Sequence, residues 1–594
     1  MALIVQKFGG TSVADTQKIL SAARKAIRET KKGNQVVMVV SAMGKNTDHL
    51  IDLAKSITEH PNSREMDMLL STGEQVTVAL MAIALQTLGH EAVSFTGAQI
   101  GIRTDNTFNK ARIKTISTKR MREALDSGKI VIAAGFQGID DDFNITTLGR
   151  GGSDTTAVAL AAALGADCCD IYTDVDGVYT TDPRIVPEAR RVERISYDEM
   201  LELASLGAGV MHSRSIEFAK KFDVPVQVRS SFSDNPGTII GPDPESDQVP
   251  VCGVALSKNE ARFTVIGVPD RPGVAMNLFS RIAEAKIPTD MIAQNVSNQG
   301  KTDISFTVPG DEFETAQEIV RQVSEEIGAD GYQSNSAVSK VSIVGLGMAH
   351  QSGVAQRMFE AVAAKGINIH MITTSDIKIS ALVSREDGVA AIRAVHEAFQ
   401  LSEVPAASVK AASESGKNRE EKDLVSAQFI SRLNGMEDIL IEQVGCDETQ
   451  MRFTFADLPD RPGLAAALFK RMASKNVNVD MIVQSVGHHD NLADLSFTVP
   501  RCAADSVELL AKELTAEFGC QCKSNPAATK LTVCGTGLRS HTGLACRMFK
   551  TLSEGGINVS IICTSERNIS VIVRETDGKN GHDRLLAEFA DEMM

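Results

Sequence analysis

Lys7-Phe8-Gly9-Gly10-Thr11-Ser12 stands near the start of the chain, between two patterns of different period. Before it, the apolar run Ala2–Val5 reads as a buried β-strand. After it, Ile19, Leu20, Ala23, Ala26 and Ile27 fall on one face of a helix. A strand, a glycine pair and a helix start gather free backbone N–H groups and a positive dipole end at one point. That is an anion site, and the adjacent lysine points to phosphate. The Walker pattern places its lysine after the glycines; here the lysine comes first, on the end of the strand. A plain tight turn with a solvated lysine is the competing reading, and the rest of the chain decides between them.

The 594 residues are 43% hydrophobic and 23% charged, as expected of several soluble globular domains. A net charge of −15 argues against a nucleic-acid or membrane-surface partner. With no Trp and only 4 Tyr, stacking platforms for single strands are absent as well. The 10 cysteines are scattered, without zinc spacing, which predicts free thiols in a reducing cytoplasm and no metal centre built by side chains. The start of the chain reads as a strand rather than a signal peptide, and the apolar run Ala157–Ala166 is too short to span a bilayer.

Through residue 245, strand and helix patterns alternate. Val36–Val40, Ile130–Ala134 and Cys168–Tyr172 are continuously apolar, as strands covered on both faces must be, and Glu74–Leu88 reads as a helix. The alternation predicts an α/β fold, a three-layer αβα sandwich around a mainly parallel open sheet. Ligands gather at the carboxyl ends of such strands. The polar motifs fall there: Ser41-Ala42-Met43-Gly44 with Thr47 beyond, Ser71-Thr72-Gly73-Glu74 opening a helix, and Gly149-Arg150-Gly151-Gly152-Ser153-Asp154 before another helix. Tyr172-Thr173-Asp174-Val175-Asp176-Gly177-Val178-Tyr179 follows a strand and leads to Thr181-Asp182-Pro183-Arg184. Two glycine-rich helix starts suit a substrate with several negative groups, and Arg150 offers a planar fork for a carboxylate.

Together these motifs resemble those of the aspartate kinases, in the amino-acid kinase superfamily. The resemblance implies ATP-dependent phosphorylation of the β-carboxylate of L-aspartate, the entry to lysine, threonine, methionine and isoleucine synthesis. It assigns Lys7, Phe8, Gly9, Gly10, Ser41 and Ser153 to the ATP phosphates, with Asp154 organising the phosphoryl site and Mg²⁺ neutralising charge. Thr173, Asp174, Tyr179 and Arg184 resemble the nucleotide wall; Thr47, Glu74 and Arg150 would grip aspartate, Glu74 taking the α-ammonium. Lys7 and Asp154 carry the catalytic expectation. One departure stands out: Gly209 in Leu206–His212 occupies a position where related kinases often carry lysine. Arg214, Lys220 and Lys221 are the nearby cations that could replace it, and His212 reads as structural.

Beyond a polar linker at 242–250 the chain repeats. Pro269-Asp270-Arg271-Pro272-Gly273 recurs as Pro459-Asp460-Arg461-Pro462-Gly463, and Asp290-Met291-Ile292 as Asp480-Met481-Ile482. Within each copy the pattern repeats again: Gly273 with Gly353, Phe279 with Phe359, Met291 with Met371. Four βαββαβ units follow, resembling ferredoxin-like ACT domains. The expected layout is a kinase domain at 1–245, ACT units at 246–335, 336–400, 431–525 and 526–594, and a tether at 401–430. By resemblance, Ile292, Gln294 and Asn295 with Asn368 would line one effector site, and Gln484 and Ser485 with Asn558 the other. Lysine, threonine or both are the implied inhibitors, and exposed ACT edges predict a homodimer.

Gly345-Leu346-Gly347 begins like a dinucleotide fingerprint but recurs within the repeat as Gly535-Thr536-Gly537, so it belongs to the module. His488-His489 fall where the duplicate gains one residue, in an expected loop. A kinase of glutamate or N-acetylglutamate is the alternative within the enzyme class, and a catalytically silent amino-acid sensor is the alternative outside it.

Overall fold

The computed structural model describes residues 1–207, 209–245, 249–296, 300–405, 435–486, 492–538 and 543–593. Most of the expected tether at 401–430, and His488-His489, lie outside the described residues.

The first domain is built on an eight-stranded sheet. Its order is Arg194–Ser196, Thr238–Gly241, Val226–Ser230, Cys168–Thr173, Leu3–Phe8, Gln35–Val40, Ile130–Ala134 and Ala92–Phe95. Every neighbouring pair is parallel except Val226–Ser230 with Thr238–Gly241. Strand periodicity sorts the side chains into two layers. Met38, Val40 and Ile132 pack beneath the helices Thr16–Lys31 and Thr72–Thr87. Val37, Val39 and Val131 pack on the other face against the alanine-rich helix Gly152–Leu164. That helix is nearly all buried, and its small side chains let it lie close to the sheet. Helices Ser63–Leu70 and Thr72–Thr87 together are long and apolar enough to cross a bilayer, but Val78, Met81 and Leu85 are core residues.

A small four-stranded sheet, Ile113–Ile116, Ile102–Thr104, Gln137–Ile139 and Ile145–Thr147, completes the first domain; the other two sheets form four ferredoxin-like modules, and here the sequence pattern needs correction. Strand Gly253–Pro269 is one long element serving two modules. Its first part, Gly253–Ser257, pairs with Val344–Lys340; its later part, Arg262–Ile266, pairs with Asn335–Gly331. Register shifts between Ser257 and Arg262 let the strand bend from one module into the next. The second module therefore takes a strand from upstream of the first, and the first is inserted into it. The duplicate repeats the device, with Leu440–Asp447 pairing across to Ala528–Thr536.

The modules also pair differently from the expected neighbours in sequence. Met371–Ser375 of the second module pairs with Ile482–Val486 of the third, merging their sheets into a ten-stranded one. Asp290–Val296 of the first lies beside Ile561–Thr564 of the fourth, burying Met291, Ala293, Ile561 and Cys563. Aromatic contacts fasten the helices in the same combinations: Phe279 with Phe549 at 6.1 Å, and Phe359 with Phe469 at 5.5 Å. The reason is geometric. Sharing long strands joins the first module to the second along one side, so their remaining edges meet the other copy. The edges Met371–Ser375 and Ile482–Val486 thus cover each other within the chain.

Candidate active site

The carboxyl ends of four strands meet at one place. Gly9 N–H donates to Tyr172 O (3.2 Å), Ser41 N–H to Phe8 O (3.1 Å) and Gly135 N–H to Val40 O (3.1 Å). Lys7, on the penultimate position of its strand, turns to the face of helix Gly152–Leu164, and its Nζ stands 2.5 Å from Asp154 Oδ1. Both side chains are largely buried. The glycine pair is explained by crowding as well as by exposed amides. A Cβ on Gly10 would come within 2.9 Å of Ala42 O, and Gly44 N–H bonds back to Gly10 O.

Ser153 is buried beside this pair and Ser41 is half-buried at the next strand end. Gly135 was missed by sequence reasoning. A Cβ there would lie 2.7 Å from Ser153 Oγ, so only glycine lets the helix start approach. The signal was available, since Gly135 directly follows Ile130–Ala134 just as Gly9 follows the first strand.

Glu74 opens helix Thr72–Thr87 and is only 3% exposed. Its Oε1 accepts Ala42 N–H at 3.0 Å, whereas Oε2 has no partner. Burial pushes its carboxyl up to about 7. A buried carboxylate with one idle oxygen fits a cationic ligand group. Thr47 is half-buried in the first turn of helix Asn46–Ile57, and Arg150 is exposed between Gly149 and Gly151, both of positive φ. A Cβ on Gly151 would come within 2.3 Å of His212 Cβ, so His212 acts as packing beneath the loop.

Thr173, Asp174, Tyr179 and Arg184 follow the strand that pairs with Leu3–Phe8, at the same end of the sheet. Thr173 Oγ1 bonds Asp174 Oδ1 (3.2 Å), Tyr179 OH bonds Asp176 Oδ1 (2.9 Å), and Arg184 forks onto Asp182 (2.8 Å). The cations considered as replacements for a lysine at Gly209 are committed elsewhere. Arg214 binds Glu437 at 2.5 Å, Lys220 binds Asp198 and Glu442 at 2.9 Å, and Lys221 donates to carbonyls of Gly435, Met436 and Asp438. All three hold the segment entering the second pair of modules.

Helix Tyr197–Ser205 makes the other bridge to the sensing half. Glu199 Oε1 accepts Leu346 N–H (3.1 Å). Glu202, fully buried, meets Lys378 Nζ at 3.0 Å and accepts Glu566 N–H at 2.9 Å. Asp198 meets Arg567 at 3.1 Å.

The expected effector residues regroup with the modules. Gln294 donates to Val559 O (3.0 Å), and Asn558 donates to Asp270 (2.7 Å), around a small cavity behind Gly273. In the other pair, Gln484 donates to Ile369 O (2.9 Å) and Asn368 to Asp460 (2.9 Å). Asn368 thus partners Gln484, and Asn558 partners Gln294, the reverse of the expected grouping. Gln294 and Gln484 are each 4% exposed with an unpartnered Oε1. Ile292 lines a different cavity, near Gly543; Ser485 is buried; the side chain of Asn295 lies outside the described residues.

Residues 2–230 match the model of the amino acid kinase family. ACT domain models match residues 263–323, 341–399 and 531–589, and 453–519. An aspartate kinase of Pseudomonas putida is 52% identical over 403 residues, 68% of this chain and 98% of that protein. The crystal structure of aspartate kinase from Synechocystis aligns over 99% of this chain and 98% of its own, with 38% identity and a TM-score of 0.52. E. coli aspartokinase III, solved with aspartate and ADP, aligns over 67% of this chain and 99% of its own at 26% identity and TM-score 0.58. The same enzyme, solved with lysine and aspartate, aligns at TM-score 0.55. With a kinase domain of that family, four ACT domains and relatives matched over nearly their whole length, this chain belongs to the aspartate kinase family.

Proposed function

We infer that this chain transfers the γ-phosphoryl group of ATP to the β-carboxylate of L-aspartate, giving 4-phospho-L-aspartate, the first step toward lysine, threonine, methionine and isoleucine. The observation that carries the reading is the convergence of Lys7 with Asp154 at one strand end and of half-satisfied Glu74 at the next. The nucleophile, a carboxylate, is already ionised at neutral pH, so no general base is required. The protein's task is alignment and neutralisation of phosphoryl charge. Asp154 fixes Lys7 toward the transferred group, and the amides at Gly9, Gly10 and the start of helix Gly152–Leu164 receive phosphate oxygens. Thr173, Asp174, Tyr179 and Arg184 hold the nucleotide. Thr47 and Arg150 take the aspartate carboxylates, and Glu74 its ammonium.

Magnesium, when bound, spreads the negative charge of the phosphates. Asp154, a carboxylate at the phosphoryl end, fits an ion that takes most of its ligands from phosphate and water.

Lysine and threonine regulate the enzyme by binding beside Gln294 and Gln484, where each unpartnered Oε1 suits an ammonium. Bound to the less active arrangement, either shifts the population away from turnover. Ten free cysteines support a cytoplasmic location. Aspartate-dependent ADP release, titrated with lysine and threonine separately and together, tests the reading. ATP binding without any aspartate-dependent release sinks it.

A further inference from the structure

The stretch Gly435–Asp438 stands directly ahead of strand Leu440–Asp447, at the entry to the second pair of modules, yet it packs into the first domain. Gly435 and Met436 both donate their N–H to Lys114 O, at 3.0 and 3.2 Å. Met436 is 1% exposed, in the core layer that holds Val37, Val39 and helix Gly152–Leu164. Glu437 follows, its side chain largely buried, and both of its oxygens accept from Arg214 Nη2, at 2.7 and 2.5 Å.

We propose that Glu437 is a positioning residue for the aspartate site, acting through Arg214 on the loop that carries Arg150. This rests on the reading of Arg150 as a ligand of an aspartate carboxylate. Arg214 lies in the first turn of helix Ser213–Lys221 and divides its donors between Glu437 and that loop. Its Nη1 donates to Leu148 O at 2.6 Å, two residues before Arg150, and its Nη2 also donates to Ala111 O at 2.6 Å. Ala111 N–H in turn donates to Thr147 O at 2.9 Å, so both carbonyls that Arg214 grips belong to the foot of the loop.

The same foot is held from the other side by Asp67, which is fully buried on helix Ser63–Leu70 and accepts the N–H and the hydroxyl of Thr147, at 2.8 and 2.6 Å. That helix runs on into the turn bearing Glu74. Arg150 itself is flanked by Gly149 and Gly151, both of positive φ, which have no side chains to anchor it. Its place is therefore inherited from Thr147 and Leu148. The Arg214 side chain is mostly buried, and a cation so placed needs its counter-charge. A carboxylate that matches the planar fork leaves the other N–H groups aimed at the two carbonyls. Without Glu437 the guanidinium is uncompensated, and the carbonyl of Leu148 loses a fixed donor. If Glu437 merely fastened the chain to the first domain, the three carbonyl bonds of Lys221 to Gly435, Met436 and Asp438 would serve the same end, and its loss would change stability without changing substrate affinity.

The test is steady-state kinetics of the full chain, with aspartate and MgATP varied in turn. Glu437→Gln keeps the shape and an acceptor but removes the charge; it should raise KM for aspartate about tenfold and leave KM for MgATP within about twofold of the parent's. Arg214→Lys should do the same, because one ammonium cannot serve two carbonyls and a carboxylate in that geometry. The double variant should be no worse than the worse single one, as expected of residues that act as a unit. Asp438→Ala, at an exposed position of the same stretch, is the control and should match the parent. Rates are read below the melting temperature of each variant. An unchanged KM for aspartate in Glu437→Gln and Arg214→Lys, even with a lowered Tm, overturns the positioning role. So does an equal rise in both Michaelis constants, or the same rise in Asp438→Ala. These results leave the kinase reading intact, whereas a parent chain without aspartate-dependent ADP release overturns both.

Discussion

Asn558 donates its amide to Asp270, 2.7 Å away and 288 positions earlier in the chain. This bond closes the lip of the cleft in which Gln294 keeps an unpartnered carbonyl. An amino acid entering the cleft must exchange that bond for its own contacts, so its binding free energy depends on how the two domains sit. Gln294→Ala should raise the inhibitory concentration of lysine or threonine at least tenfold and leave the uninhibited kcat unchanged. Inhibition curves that superpose on the parent's would remove Gln294 from the effector site.

Lys7→Ala should lower kcat by about 10²–10³, the usual loss when a preorganised charge partner of the transition state is deleted. The fold should survive, because Lys7 lies at the strand end rather than among the core residues behind it. Steady-state rates with a circular-dichroism melt check both halves of the statement. A rate within tenfold of the parent's contradicts the role.

Glu74 supplies a pH signature. Its carboxyl is pushed up to about 7 by burial, so it is mostly protonated at pH 6 and mostly ionised at pH 8. If the ionised form holds the α-ammonium, kcat/KM for aspartate should climb through about pH 7, and Glu74→Gln should flatten the climb while lowering the plateau. The sign for stability is opposite. The folded form binds the proton more tightly than the unfolded chain, so this group's contribution falls as pH rises from about 4.5 to about 7. A profile for kcat/KM that is level across that range excludes Glu74 as the ammonium ligand.

Lys378 is the buried counter-charge to Glu202, and removing it strands a carboxylate between the kinase domain and two ACT domains. Lys378→Met should destabilise by about 3 kcal/mol, as unpaired buried charges do. Adding Glu202→Gln should recover most of the loss. Thermal melts of both single variants and the double variant measure the coupling; additive effects would show that the two residues act independently.

The kinase sheet was legible because its central strands are continuous apolar runs and the candidate site residues follow them directly. Lys7 stood out from its place between a strand and a glycine pair, whereas Glu74 and Asp154 were singled out by the family resemblance. The sensing half was legible only as modules. Nothing local in Gly253–Pro269 distinguishes one strand from two half-strands in different domains, because the residues on either side of Lys258-Asn259 are alike buried. Which module faces which depends on edges left over after strands are shared, a property of the assembled sheet. That is why the sequence pattern grouped Asn368 with Gln294 and Asn558 with Gln484, whereas the structure brings Asn558 beside Gln294 and Asn368 beside Gln484. The bonds of Arg214, Lys220 and Lys221 to residues 435–442 escaped for a similar reason, since those partners lie more than 200 positions away.

The crossed pairing of the four ACT domains has a consequence for how sensing depends on protein amount. The P. putida relative aligns over 98% of its own length to 68% of this chain, so it is a shorter protein. A chain carrying only the first two of these ACT domains would need another molecule to complete such clefts, and the fraction completed would fall on dilution. Here covalent linkage supplies the partner at a fixed local concentration, so both clefts are assembled in every folded molecule, however scarce.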